Sequence, residues 1–154
     1  MRHALLLLLI ATAMPPAKAN AQLNDTTAVM ATLERFVGAL RQQDSTAMLA
    51  ELHEQARVTL LRPAQGGGVR VHVFDGPAFV KLAVAGRPLD EPIRNARVTI
   101  DADLATVWAE YQVRIDGAVS HCGYDAFHLV RSGGAWKILN VSDTFRREGC
   151  GEKW

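Results

Sequence analysis

The side chains best suited to chemistry lie late in the chain, where Tyr111, Tyr124, His128, Asp143 and Phe145 sit on runs that alternate like β-strands. Asp116-Gly117 and Gly133-Gly134 read as two-residue hairpin turns. Turns of that length oppose Tyr111 to Cys122, Tyr124 to Asp143 and His128 to Leu139, and strand alternation divides the residues between two faces. One face collects Val107, Ala109, Tyr111, Val113, Cys122, Tyr124, Ala126, His128, Val130, Leu139, Val141, Asp143 and Phe145. It is mainly small and apolar, so it is the expected interior. A carboxylate beside two tyrosines in an apolar wall suits a general base of raised pKa or an anchor for a ligand's polar group. A self-satisfied Tyr–Asp pair is the plainer alternative. His128 falls ~13 Å along the strand from the level of Asp143, too far for a direct dyad.

The opposite face collects Trp108, Glu110, Gln112, Arg114, His121, Asp125, Phe127, Leu129, Trp136 and Ile138. Trp108, Phe127 and Trp136 together would expose an apolar patch on a monomer, which predicts a homodimer through this outer face. The alternative is that the C-terminal tail or the Pro-rich loop at Pro88–Pro92 covers them.

The elements that carry these strands follow from the earlier pattern. Val29, Leu33, Phe36, Val37 and Leu40 recur at helical spacing behind the capping residues Asn24-Asp25-Thr26-Thr27, predicting a helix over about Thr27–Arg41. Asp44 caps a shorter helix to about Leu52, with Met48, Leu49 and Leu52 facing inward. Arg57–Arg62 and Val69–Asp75 are strand-like and flank Gln65-Gly66-Gly67-Gly68. That glycine run lacks the following helix and Lys of a phosphate-binding loop, so it reads as a plain connection. Gly76-Pro77 opens a third helix over Ala78–Ala85, with Phe79, Leu82 and Ala83 on one side. Four strands follow, at Ile93–Asp101, Leu104–Ile115, Val119–Arg131 and Trp136–Arg146. Helices early and an antiparallel meander late define an α+β domain with helices packed on one sheet face.

Composition bounds the role. With 17 Lys plus Arg against 16 Asp plus Glu, the 154-residue chain has no charge run that would steer it to nucleic acid. The five histidines show no paired-ligand spacing, so neither a metal nor a cofactor is expected. Met1-Arg2-His3, the apolar run Ala4–Ala13 and Ala19-Asn20-Ala21 read as a secretory signal peptide over residues 1–21, cleaved after Ala21. The domain is then 22–154, periplasmic or secreted, with no membrane attachment after cleavage. Export permits oxidation of Cys122 and Cys150. They form either a disulfide or two free thiols. A bridge requires the tail to double back, which Gly149 and Gly151 allow.

Taken in order, several phrases carry a family resemblance. These are the first helical stripe, Phe74-Asp75-Gly76-Pro77 before a short helix, and Ala105–Val113 before Asp116-Gly117. His121-Cys122-Gly123-Tyr124-Asp125-Ala126-Phe127-His128-Leu129-Val130-Arg131 before Gly134-Ala135-Trp136-Lys137-Ile138 completes the set. The ordered set resembles the nuclear transport factor 2-like superfamily, which includes SnoaL-like cyclases and ketosteroid isomerases. The resemblance implies a cone-shaped cystatin-like fold, a bent sheet wrapped around the N-terminal helices, a pocket in the cone's mouth and dimers through the outer sheet face. It also implies acid–base work by Asp, His or Tyr inside the cone, for which Tyr111, Tyr124 and Asp143 are the matching carriers. Glu51, His53 and Glu54, near the end of the second helix, occupy a region where such enzymes carry an acid. Two readings follow. One is an exported module that binds a small, partly apolar molecule through Tyr111, Tyr124, His128, Asp143 and Phe145. The other is an isomerase, dehydratase or cyclase with Asp143 as base and both tyrosines donating to an enolate oxygen.

Overall fold

The computed structural model describes residues 16–152 and Trp154. The apolar run Ala4–Ala13 lies outside the described residues. Helix α1 runs Pro16–Gln42 and α2 runs Ser45–Glu51; strands β1 (Leu52–Pro63) and β2 (Val69–Asp75) follow, then α3 (Gly76–Ala85). The rest is strand: β3 (Leu89–Asp90), β4 (Ile93–Asp101), β5 (Leu104–Ile115), β6 (Ala118–Ser132) and β7 (Ala135–Asp143).

Helix α1 starts earlier than the capping residues suggest, because the Ala-rich stretch ahead of them contains no breaker and continues the helix. Asp25 therefore lies inside the helix and pairs with Arg131 of β6 at 2.7 Å. Val29, Leu33, Phe36 and Leu40 form the buried stripe as expected. Asp44 caps α2 by accepting from the Ala47 N–H, and Asp75 caps α3 by accepting from Ala78 N–H. One inward assignment is corrected: Leu49 is 42% exposed, while Met48 and Val80 face the core. Ala47 in α2 and Phe79, Ala83 and Val84 in α3 pack against the same core from partly buried positions.

The seven strands form one mixed sheet in the order β2-β1-β7-β6-β5-β3, with β4 also paired to β5. Every pairing is antiparallel except β1 against β7, which is parallel. The α1 stripe, Met48 and Val80 pack against Val58, Val107, Ala109, Phe127, Leu129, Trp136, Ile138 and Val141 on the sheet's concave face.

Both hairpin turns form as read. Asp116 and Gly117 have φ of 52° and 80°, and Gly133 and Gly134 have 58° and 79°, the left-handed pair of a two-residue turn. The register beyond them differs from the expectation. Arg114 pairs with Val119 but Val113 pairs with His121, so Ser120 is an extra residue in β6. Leu129 pairs with Ile138 but His128 pairs with Asn140, so Leu139 is an extra residue in β7. Each bulge inverts the strand beyond it. As a result Asp125, Phe127 and Leu129 face the core and Tyr124, Ala126 and His128 face outward. Phe127 is 2% and Trp136 3% exposed, which removes them from the expected outer patch; Trp108 alone of the three remains exposed, at 46%.

The outer face is covered in part by the chain's own tail. Gln112 donates to the Cys150 and Glu152 carbonyls at 3.2 and 3.0 Å, and Arg114 to the Trp154 carbonyl at 3.0 Å. Cys122 and Cys150 form a disulfide with Cα atoms 5.5 Å apart, and Cys122 exchanges both backbone hydrogen bonds with Arg146. Beneath the tail, Gly123 has no room for a side chain: a Cβ there would collide with the Thr144 carbonyl and the Tyr111 ring.

Two consequences are measurable. Gly123→Ala should destabilise by about 1–3 kcal/mol through overpacking. Gly38→Ala, in α1 with open space around it, should stabilise by about 0.5–1 kcal/mol through helix propensity. Urea unfolding of both variants checks the opposite signs. Losing the disulfide in Cys150→Ser should cost roughly 3 kcal/mol; two reactive thiols in unfolded, non-reduced wild type would contradict the bridge.

Candidate functional site

The concave face does not close completely on the helices. It leaves a cavity of about 330 Å³, within the size range of small-molecule sites. Phe36, Leu40, Phe79 and Leu82 wall it from the helices, and Val58, Leu60, Val113, Phe127 and Val141 from the sheet. Six polar residues line this apolar space: Arg62, Arg87, Glu91, His121, Asp125 and Asp143, with Arg87 paired to Asp116 at 2.6 Å.

Their placement follows from the register. Asp125 and Asp143 are directly opposed on β6 and β7 and share the inner face, so their Cβ atoms lie ~5 Å apart. Leu60 of β1 pairs with Asp143, which brings the neighbouring Leu61 N–H to Asp143 Oδ1 at 2.9 Å. Arg62 Nη1 donates to both Asp143 oxygens at 2.8 and 2.7 Å. Glu91 enters from the segment after β3, whose Asp90 is held by Arg114 at 2.7 Å.

The two aspartates sit in different environments. Asp143 is satisfied by Arg62 and a backbone donor and carries the charge. Burial still holds its carboxyl above the usual carboxylate range, with Arg62 opposing. Asp125 is 2% exposed, and its buried Oδ2 has no hydrogen-bond partner. Burial first, then the nearby Glu91 and Asp143 carboxyls, raise its pKa well above the ordinary value and so favour its protonated form. Glu91 is pushed up to about 8 by burial and by Asp143, against the pull of Arg62. His121 is lowered to about 4 by burial and by the charges of Arg62 and Arg147, so its imidazole is neutral at physiological pH. The site therefore holds a charged ion pair beside neutral acids and a neutral imidazole.

The expected site residues separate. Asp143 lines the cavity. Phe145 stands at its margin, its ring 4.5 Å from the ring of His121 and 5.0 Å below the Arg62 guanidinium. Tyr111 is buried on the inner face, but its hydroxyl donates to the Thr144 carbonyl at 2.6 Å and is not offered to a ligand. Burial and Asp143 push its phenol up, so it stays protonated. Tyr124 and His128 are corrected outright. Tyr124 lies on the convex face, stacked on Trp108 at 5.2 Å, with Glu110 accepting from its hydroxyl at 3.4 Å; His128 is exposed. Glu51 pairs with Arg35 at 2.8 Å and His53 accepts from the Gln55 N–H, while Glu54 is exposed. None of these three lines the cavity. Asp125, His121, Arg62 and Glu91 were not anticipated. The large apolar residues Phe127, Leu129, Trp136 and Ile138, all on the set with Asp125, were the signal that this set faces the core. Among the described residues no cluster of His, Cys, Asp and Glu is placed to hold a metal ion.

No protein-family model and no curated protein matches the sequence. Solved structures do match its shape. A protein of unknown function from Mycobacterium tuberculosis superposes with a TM-score of 0.72 at 18% identity, over 89% of this chain and 79% of that one. An NTF2-like protein with a cystatin-like fold from Novosphingobium aromaticivorans gives 0.67 at 14% identity, over 86% and 89%. A protein from the same organism, named only provisionally as a scytalone dehydratase, gives 0.64 at 14% identity, over 84% and 89%. The chain has the nuclear transport factor 2-like, cystatin-like fold: α+β, with a bent mixed sheet around its helices.

The charge states carry a stability signature. Above about pH 7, His121 is neutral in the folded and unfolded chain, so the carboxyls dominate. The folded state keeps a proton on Glu91 that an unfolded glutamate has already released. Stability should therefore fall as pH rises through about 8. Glu91→Gln should flatten this limb, read as urea midpoints against pH; a flat wild-type profile would contradict the buried neutral acid.

Proposed function

We propose that the protein binds a small, partly apolar molecule in the cone and performs acid–base chemistry on it, of isomerase, dehydratase or cyclase type. The observation that carries this is the pair of opposed aspartates in an apolar cavity, one paired with Arg62 and one with a buried, unpartnered carboxyl oxygen. Paired groups whose surroundings drive their pKa values apart divide naturally into base and acid. Asp143 takes a proton from a carbon next to a carbonyl, and Asp125 donates to the oxygen where negative charge develops. The donor role expected of Tyr111 and Tyr124 thus falls to Asp125. The apolar walls exclude water and strengthen both interactions.

Structural neighbours support the reading without carrying it. One is provisionally named a scytalone dehydratase, and another, from Streptomyces avermitilis, is provisionally named a dehydratase of the NTF2-like family. The Cys122–Cys150 bridge supports work in an oxidising compartment, in keeping with the signal-like start of the sequence.

The test uses 2-tetralone in deuterated buffer, with exchange at its activated carbon followed by NMR. Wild type should accelerate exchange over buffer. Asp143→Asn and Asp125→Asn should each lower the enzyme-dependent rate by about 10²-fold or more. Asp125→Asn preserves size and leaves Asp143–Arg62 intact, so it should fold even if the other variant does not. No acceleration by wild type, or full activity in Asp125→Asn, would overturn the assignment.

A further inference from the structure

Arg62 is only partly used by the protein. Nη1 serves the Leu61 carbonyl at 2.9 Å and both Asp143 oxygens. Among the described residues, its Nε and Nη2 have no hydrogen-bond partner. The side chain is 28% exposed and borders two concavities at once. One is the apolar cavity. The other is a surface depression formed with Pro63, Phe145, Arg146, Arg147 and Glu148.

Phe145 links the two. Its ring lies against His121, which faces the cavity, and beneath two cations, with Arg62 at 5.0 Å and Arg147 at 5.7 Å from the centroid. Arg147 forms no ion pair among the described residues. Arg146, its neighbour in sequence, lines the same depression and also lies 5.7 Å over the Tyr124 ring. The disulfide and the paired backbone bonds of Cys122 and Arg146 hold this part of the tail in place. Arg70, the cross-strand partner of Arg62, adds a further cation on the concave side.

Nearby acids do not neutralise this edge. Asp143 is matched by Arg62, Glu148 is an exposed carboxylate on the depression, and burial shifts Asp125 and Glu91 toward their protonated forms. The apolar cavity thus ends at a margin with an excess of positive charge and unused guanidinium donors. Guanidinium groups match the planar, two-oxygen geometry of a carboxylate.

We infer that Arg62 and Arg147 form an anion subsite at the margin of the cone, and that the molecule taken there is a carboxylate whose apolar body lies in the cavity. The inference rests on occupancy of the cone as proposed above, and it adds the substrate class. Phe145 supplies the floor over which the two guanidinium groups converge. The carboxylate fixes which end of the molecule enters first, and so which carbon reaches Asp125 and Asp143.

The probes are 2-naphthylacetate and its neutral amide, which share one apolar body. Binding is read by calorimetry at low and high salt. Wild type should bind the acid at least tenfold more tightly than the amide, and 0.5 M salt should erase most of that preference. Arg147→Ala should remove the preference while leaving amide affinity within twofold. Arg97→Ala, with the same change of charge on β4 opposite Trp108, should leave the preference within twofold. Equal binding of acid and amide to wild type overturns the subsite but leaves the cone reading standing. Equal losses in the two arginine variants also overturn it, because a diffuse field then explains the preference. Binding of neither probe, together with no exchange of 2-tetralone, overturns both.

Discussion

Ser120 is one residue more than the β5–β6 ladder can pair, and the chemistry of the cone depends on how that excess is absorbed. The strand bends around it and every later side chain of β6 changes face. Asp125 is thereby buried against Asp143, and Phe127 and Leu129 complete the core beneath α1. Without the bulge, Tyr124 and His128 would occupy the interior and the acid would face water. The second bulge, at Leu139, keeps β7 in step: it returns Val141 and Asp143 to the inner face after Trp136 and Ile138 have already used it.

Burial of three carboxyls around one arginine is costly unless most of them stay neutral. Of the two arginines that line the cavity, Arg62 is given to Asp143 and Arg87 to Asp116, while burial shifts Asp125 and Glu91 toward their protonated forms. Such a site is poised rather than relaxed. Asp125 keeps an unpaired oxygen in an apolar wall, an arrangement that a ligand's oxygen would relieve. Tyr111 is the contrast: equally buried, but closed on the Thr144 carbonyl and therefore structural.

The tail links fold and site. It packs on the outer face over Gln112 and Arg114, and the disulfide fastens it to β6 one residue from His121. Phe145 and Arg147 are presented to the cavity's edge by the same segment. One short stretch of chain thus shields part of the sheet that would otherwise be exposed and supplies the cation-rich margin of the cone.

Periodicity alone was not enough for the two-residue β3, which lies where the sequence reads as a Pro-rich loop, but it was enough for the order of the long elements, the hairpin turns at Asp116-Gly117 and Gly133-Gly134, the cap at Asp44 and the inward placing of Asp143. These depend on neighbours in sequence: a left-handed pair of turn residues, a capping oxygen, an apolar stripe. The identity of the acid pair did not emerge that way. A hairpin turn sets the register only until the first bulge, and a bulge forms where long-range packing favours it. Phe127, Leu129, Trp136 and Ile138 needed a core, and the core existed only once α1 lay across the sheet. Glu91 and Arg62 come from segments far from Asp125 in the chain, so only the folded sheet, with β1 laid parallel to β7, could bring them to the same cavity.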